Sequence, residues 1–508
     1  MAYNRNIQCE VITSQKLVTG SVFLYKLSYN CNEIYFLVDC GITQGEDIQE
    51  GEDGITLDNE IAEYMKDVKF AIITHPHADH IARLPVAVQE GLNCPIYMTN
   101  STQMLLDTIL DSNFKILQED ARKNNKKMAY TRESVDKTIL LSKAQNFSKR
   151  VKIFETEDLS INMTLLLNAH IVGACCVFLE IHKKQKKFYD VHDLNIFITG
   201  DINVKNIFYS MKELPKSVLK KPITIICETT YGLTNTKSIV PKFETDILKA
   251  INEKKKIIVL VNALGKTQEV LLRLKRLEKI NKLPQIWLDG KLAIEYCKKY
   301  SLLEEIPKNL HNFWPSNVRL VEDADIRKQI ADSKQASIII TTSGMGVEGP
   351  APEYIKANLS NSNALIYFTS YCAKNTFGAI IQEEYAKMVT DNDKPYREVE
   401  FKGMTIPFNC KVDSTREMSS HAKSDELLEF VSKFANIQLC ILVHGEKEAK
   451  DAMKQSIESL DNVKKCVVLD NTNKIRFNSY GLEKDICVNI SLNKERVNKI
   501  LNEYQYQY

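Results

Sequence analysis

The chain has 508 residues, too many for one hydrophobic core, so its size alone calls for two or three domains. Hydrophobic residues make up 44% and charged residues 26%, a balance that excludes extensive disorder and fibrous architectures. With 67 basic and 65 acidic side chains the net charge is +2, so contact with a nucleic acid requires a local basic groove rather than a global field.

The opening Met1 to Ile7 is polar and lacks the basic and apolar regions of a secretion signal, and no apolar run reaches the length of a bilayer. The expectation is a protein without membrane contact, located in the cytoplasm, or in the nucleus of a eukaryote. The 13 cysteines include no C-x-x-C pair, which excludes a thiolate zinc knuckle and argues for reduced thiols. Cys175 and Cys176 lie in an apolar run and are expected to be buried as small hydrophobes.

In chain order, Glu33 to Asp39, Lys69 to Thr74, Leu165 to His170 and Asn195 to Thr199 read as short strands, each ending beside a metal-ligand type of residue. Ser101 to Leu117 carries apolar positions at helical spacing, and Gln118 to Lys137 is a polar, lysine-rich excursion. From about Lys221 strands and helices alternate. Strand-like Ile223 to Ile226, Lys256 to Asn262, Gln285 to Leu288, Ala336 to Thr341 and Ala364 to Thr369 are joined by helices that include Lys242 to Glu253 and Gln268 to Ile280, the pattern of a parallel α/β sheet. After Lys394 strand-like pieces return, followed by a helix near Lys423 to Phe434 and a buried strand Ile437 to Val443, with His444 directly after it. Ligand types on both sides of the α/β stretch imply one metal-binding domain split by an insertion.

The densest chemistry is Thr74-His75-Pro76-His77-Ala78-Asp79-His80, three imidazoles and a carboxylate directly after an apolar strand. Alternate residues of an extended loop can aim His75 and His77 at one metal, and the turn that follows can aim Asp79 and His80 at a second. Imidazole and carboxylate suit zinc, at ligand distances of about 2.0 to 2.2 Å. His170 and Asp201 each follow a strand in the same manner, and Gly200 allows close backbone approach. Viewed alone, His170 or His444 is as readily a hydrogen-bonded surface histidine as a ligand.

Together with Leu37-Val38-Asp39-Cys40-Gly41, Ala169-His170-Ile171-Val172-Gly173-Ala174 and Thr199-Gly200-Asp201, this stretch resembles the metallo-β-lactamase superfamily. Within it, the chain is similar to the β-CASP nucleases through Glu228-Thr229-Thr230-Tyr231-Gly232, Asn262 to Glu269, Leu288-Asp289-Gly290, Ser343-Gly344-Met345 with Gly349-Pro350, Ser419-Ser420-His421 and Leu442-Val443-His444-Gly445-Glu446. The resemblance implies an α/β fold: a metallo-β-lactamase αββα sandwich with an inserted α/β β-CASP domain. Its boundaries are expected at 1–207 and 396–480 for the two sandwich parts and 208–395 for the insert, with an extension at 481–508.

The resemblance further implies two zinc ions, the first on His75, His77 and His170, the second on Asp79, His80 and His444, with Asp201 bridging both. Asp39 would orient the histidine loop through hydrogen bonds. A hydroxide shared by the zinc ions would attack the phosphodiester, His421 would give the leaving oxygen its proton, and Glu228 would partner that imidazole. Ser343 and Gly344 would offer donors to a substrate phosphate, a tight structural turn being the competing account. The substrate implied is single-stranded RNA, because a histidine at 444 goes with the RNA-processing members rather than the DNA-repair ones; the cut implied is internal, with 5′ to 3′ exonuclease activity added in some relatives. The alternatives are a DNA-directed nuclease of the family and a nuclease-like scaffold in a processing or defence complex, and the partners expected beside RNA are complex subunits or a second copy of the chain. A lactamase, thioesterase or glyoxalase is disfavoured by the large insert.

Gly265-Lys266-Thr267 after an apolar strand matches the end of a P-loop, but position 260 is Leu where the earlier glycine is required. The runs Lys183-Lys184-Gln185-Lys186-Lys187 and Lys254-Lys255-Lys256 read as a solvated hairpin or helix end before they read as a phosphate track. The chain departs from the family pattern at Ala82, where glycine is usual, at Lys423, where an acid is usual, and in an opening reduced to Thr19-Gly20-Ser21. A cation at 423 is expected to oppose protonation of His421.

Overall fold

Apolar residues that alternate along the early strands, and continuous apolar runs in the later ones, sort the chain into two units, seen in a computed structural model that describes residues 6–15, 17–30, 32–48, 53–184, 193–390, 398–401 and 403–483. One unit comprises the chain up to Asn206, Ser210–Thr236 and the chain from His421 on; the other comprises Ile207–Tyr209 and Lys237–Ser420.

The first unit holds two sheets. One has eight strands in the order Gly481–Leu482, Ile475–Asn478, Gln8–Thr13, Val22–Tyr29, Asn32–Cys40, Val68–Ile72, Ile96–Thr99 and Ser142–Gln145. The other has seven, in the order Cys466–Val468, Asn436–Val443, Pro222–Glu228, Leu194–Ile198, Cys175–Lys183, Leu159–Leu167 and Val151–Glu155. Inward-facing residues of both sheets, among them Val11, Phe36, Phe70, Leu165, Ile196 and Ile441, meet in one core. The opposite face of the seven-stranded sheet buries Phe197, Cys227 and Cys440 against Leu427, Phe430 and Met453 of helices Ser424–Ser432 and Lys447–Glu458. Helix Asn100–Asn124 packs on strands Ile96–Thr99 and Ser142–Gln145 of the eight-stranded sheet. The layers are therefore helix, sheet, sheet, helix, the αββα order expected.

The second unit is built on a six-stranded, all-parallel sheet in the order Val318–Val321, Ile286–Asp289, Ser337–Thr341, Lys256–Leu260, Ala364–Phe368 and Lys411–Ser414. Ile258, Leu260, Ile339 and Phe368 pack with Tyr354, Ile355 and Phe377 of helices Ala351–Asn358 and Phe377–Thr390 on one face. Helices Phe243–Asn252 and Lys291–Tyr300 lie against Lys256–Leu260 and Ile286–Asp289.

The unit boundaries differ from 208 and 395. Strand Pro222–Glu228 pairs in parallel with Asn436–Val443, so it belongs to the sandwich although it reads as the first strand of the α/β run. Strand Lys411–Ser414 pairs with Leu365 to Phe368 and completes the inserted sheet, which carries that unit on to Ser420. Both are short apolar strands, and pairing partners distant in sequence, not composition, decide their sheet. The expected extension at 481–508 begins as an edge strand, Gly481–Leu482, and its later residues, like Gln185 to Lys187 of the first lysine run, lie outside the described residues.

The excursion at 118–137 resolves into the last turns of Asn100–Asn124 and the start of a second helix, Arg132–Leu141, capped by Thr131. Cys175 and Cys176 are buried, facing the two opposite cores. In the run at 254–256, Lys254 is exposed just past helix Phe243–Asn252, as a solvated helix end would be, but Lys256 turns inward. Lys256 is fully buried, and its Nζ donates to the carbonyls of Ile330, Ala331 and Ser333 at 2.7 to 2.8 Å, closing the C-terminus of helix Ala324–Asp332. No helix among the described residues is long and apolar enough to cross a membrane.

Candidate metal centre

His75, His170, Asp201 and His444 stand just past the carboxyl end of a strand in the first unit, where the loop releases the backbone from the ladder, and His77, Asp79 and His80 follow His75 at the start of and within the short helix Ala78–Ile81. Three strand ends here require left-handed backbone: Asp39 at φ 57°, Gly200 at φ 55° and His444 at φ 48°. Gly200 has a second constraint, since a Cβ there would meet the Thr74 side chain at 2.7 to 3.0 Å; only glycine brings Asp201 this close to the histidine loop. A non-glycine residue held at positive φ costs roughly 1 kcal/mol or more, and strain of this kind concentrates at functional sites.

The side chains of His75, His77, His170, Asp79, His80, Asp201 and His444 converge, although they arise from four separate segments of the chain. His77 Nδ1 lies 3.1 Å from His75 Nε2 and 3.0 Å from His170 Nε2. Asp201 Oδ2 faces this triad, 3.8 Å from His75 Nε2 and 3.7 Å from His170 Nε2. Its other oxygen, Oδ1, faces a second group, 3.4 Å from His80 Nε2 and 3.3 Å from His444 Nε2, while Asp79 Oδ2 lies 3.9 Å from His80 Nε2. Tetrahedral coordination with bonds of about 2.0 to 2.1 Å places ligand atoms about 3.3 Å apart, so both groups have the spacing of a coordination shell.

The donor chemistry also fits a cation. Burial holds the imidazoles of His75, His170 and His444 below their ordinary value and takes His77 down to about 4, leaving them neutral, the form that ligates metal. His444 Nε2 is buried without a hydrogen-bond partner. His80 behaves differently: burial pulls it down, but the carboxylates of Asp201 and Asp39 carry it well above its ordinary value. Burial pushes the Asp201 carboxyl up, and His444 and His80 outweigh that, holding it well below the usual range.

Asp39 accepts from Thr74 N and Thr74 Oγ1, both at 2.8 Å, and meets His80 Nδ1 at 2.8 Å, so it fixes the histidine loop and leaves His80 Nε2 facing the cluster. Glu228, almost wholly buried, meets His421 Nδ1 with both oxygens at 3.0 Å, and His421 Nε2 lies 4.0 Å from Asp201 Oδ2. Burial lowers the His421 imidazole, but Glu228 first, then Asp201 and Asp79, raise it above its ordinary value. The opposing effect expected of Lys423 does not decide the outcome: its Nζ donates to the His421 carbonyl at 2.8 Å and lies 6.0 Å from the Tyr231 ring.

Ser343 and Gly344 belong to the second unit. There the Ser343 hydroxyl accepts from the backbone of Val347 and Glu348 at 3.2 and 3.3 Å, holding its own turn. The P-loop-like segment is also internally satisfied. Lys266 Nζ pairs with Glu269 at 3.3 Å and Thr267 Oγ1 donates to Asn262 O at 2.9 Å. Sequence reasoning passed over Asn168, whose Nδ2 donates to the carbonyls of Thr199 and Asp201 and whose Oδ1 accepts from His170 N and Asn203 N. An asparagine two residues before a candidate-ligand histidine was the signal available.

The layered sandwich carries a cluster of side chains that could hold metal ions, and residues 22–159 match the metallo-beta-lactamase superfamily. Residues 267–381 match the Beta-Casp domain and 405–469 the Zn-dependent metallo-hydrolase RNA specificity domain, and the chain belongs to the β-CASP family of that superfamily. It is 26% identical over 435 residues to "Transcription termination factor FttA" of Methanocaldococcus jannaschii, covering 81% of this chain and 63% of that protein. To "Probable RNase MJ4" of the same organism it is 28% identical over 430 residues, 81% of this chain and 87% of the relative. To "Integrator complex subunit 11 homolog" of Dictyostelium discoideum it is 26% identical over 490 residues, 93% of this chain and 61% of the relative. The chain thus spans less than two thirds of the first and third of these relatives.

Proposed function

We propose that this protein hydrolyses phosphodiester bonds of single-stranded RNA, internally and from the 5′ end, with two zinc ions as cofactor. The observation that carries the reading is Asp201, whose two oxygens face two separate groups of imidazoles beside the Glu228–His421 pair. His75, His77 and His170 would hold one ion, Asp79, His80 and His444 the other, and Asp201 both. When bound, such a pair supplies an activated water and neutralises charge on the phosphate.

The rest falls to the chain. Asp39 and Asn168 keep the ligand loops in place through hydrogen bonds formed before substrate arrives. Glu228 holds His421 by Nδ1, so the imidazole presents Nε2, and its raised affinity for a proton suits donation to a departing ribose oxygen. In the second unit, Ser343 and Gly344 are the residues proposed to meet a substrate phosphate. Relatives named as an RNase and as a transcription termination factor support RNA as the substrate, and the likeness to an Integrator subunit homologue supports work inside a larger assembly.

Metal analysis combined with cleavage of matched single-stranded RNA and DNA tests the reading. Asp201→Ala is expected to lose metal and activity together, whereas His421→Ala keeps its metal and loses about 100- to 10,000-fold in turnover, the usual worth of a positioned proton donor. Equal loss of metal in both variants, or faster cutting of DNA, would overturn it.

A further inference from the structure

Beside the metal cluster one hydroxyl touches both halves of the site. Thr230 Oγ1 hydrogen-bonds Glu228 Oε2 and lies 2.8 Å from His444 Nδ1. The carbonyl of His444 is a poor competitor for its proton, because it lies 3.5 Å away and already accepts from Thr229 N at 2.9 Å.

A threonine hydroxyl has a single proton to give, and an ionised carboxylate can only accept. Glu228 already receives Ile202 N at 2.6 Å, Thr230 N at 3.2 Å and the His421 Nδ1 contacts, which is the environment of a carboxylate acting as acceptor. The Thr230 proton therefore goes to Glu228. Its oxygen is left to accept, and the partner available is His444 Nδ1, which must then carry the hydrogen. A neutral imidazole protonated at Nδ1 has its lone pair on Nε2, the buried nitrogen that has no hydrogen-bond partner and stands 3.3 Å from Asp201 Oδ1.

We infer that Thr230 is a positioning residue that fixes the tautomer of His444 and so couples the Glu228–His421 pair to the second metal-ligand group. The inference rests on the reading of His444 as a ligand and names what prepares it. Because the hydroxyl is held from both sides, the direction of hydrogen bonding runs one way: from His444 Nδ1 to Thr230, and from Thr230 to Glu228. Removing the hydroxyl leaves His444 Nδ1 facing Glu228 Oε2 at 4.0 Å, beyond a hydrogen bond, and frees the ring to take either tautomer.

The test is titration of the metal-free full chain with zinc against a competing chelator, for wild type, Thr230→Val, Thr230→Ser and His444→Ala, with long-range 1H–15N spectra of 15N-histidine protein. In wild type, two zinc sites and a His444 ring protonated at Nδ1 before zinc is added are expected. Thr230→Val should weaken one site about 10- to 100-fold, as loss of a ligand's hydrogen-bonding partner does, leave the other unchanged, and approach His444→Ala in pattern; Thr230→Ser should restore it. Two sites of wild-type affinity in Thr230→Val, or a wild-type His444 protonated at Nε2, would overturn the inference. Should Thr230→Val fail to fold, the wild-type tautomer and Thr230→Ala decide the matter. Fewer than two sites in wild type would instead sink the two-metal reading itself.

Discussion

Asp201 and Asp289 are both almost wholly buried at the carboxyl end of a strand, one in each unit, and they are satisfied in opposite ways. Asp289 receives a two-pronged pair from Arg327, Nε at 2.7 Å and Nη2 at 3.0 Å, and a third bond from the Tyr354 hydroxyl at 2.8 Å. Asp201 faces imidazole nitrogens of five histidines at 3.3 to 4.0 Å. One carboxylate is complete within its own unit; the other stands among side chains that could hold a metal ion. Buried polar groups satisfied in full add rigidity, whereas groups left facing one another mark chemistry.

The comparison can be broken by exchanging the two outcomes. Asp289→Ala strands the Arg327 guanidinium and the Tyr354 hydroxyl, and removing one member of such a pair costs about 3–5 kcal/mol. Urea unfolding should show that loss in the inserted unit while metal analysis of the folded protein shows wild-type content. Loss of metal without loss of stability would mean that Asp289 belongs to the working site after all.

A smaller effect is expected at Lys256. Its three bonds to the carbonyls of Ile330, Ala331 and Ser333 are charge-assisted, and truncation to Lys256→Met keeps the stem while leaving those carbonyls short of a donor. A hydrogen bond to a charged group contributes about 1.5–3 kcal/mol, and a loss in that range by urea unfolding, again with metal content intact, would place Lys256 with Asp289 on the structural side. An unchanged midpoint would return the lysine run to the surface role its composition suggests.

These two residues also show where sequence is legible and where it is not. The strands before His75, His170, Asp201 and His444 announce themselves, because a short apolar run followed at once by a ligand type is a local signal. Lys256 does not, since a run of three lysines carries no sign that the last turns inward to close a helix about seventy residues later. The assignment of Pro222–Glu228 to the sandwich depends on pairing with Asn436–Val443, a contact across more than two hundred residues that composition does not encode. Thr230 and Asn168 were in view as letters of a motif and a loop. Their roles lie in the direction of hydrogen bonds between distant segments, which only the folded chain displays.

The smallest effect sharpens the comparison at the far end of the sandwich, where Glu180 pairs with Arg150 and Lys221. Burial raises the Glu180 carboxyl, and the two cations outweigh that and hold it below the usual carboxylate range. A group depressed in this way stabilises the fold at pH above its unfolded value of about 4.3, and the contribution disappears as pH falls through the folded value. Arg150 is half exposed, so solvent screening limits the pair to about 1 kcal/mol or less. Glu180→Gln should therefore melt about 1–3 °C below wild type at pH 7, and the gap should close on acidification below pH about 4. A gap that persists unchanged in acid would assign the effect to packing rather than charge, whereas one that closes would show that a fully paired carboxylate acts only through stability, the behaviour that sets Glu180 and Asp289 apart from Asp201.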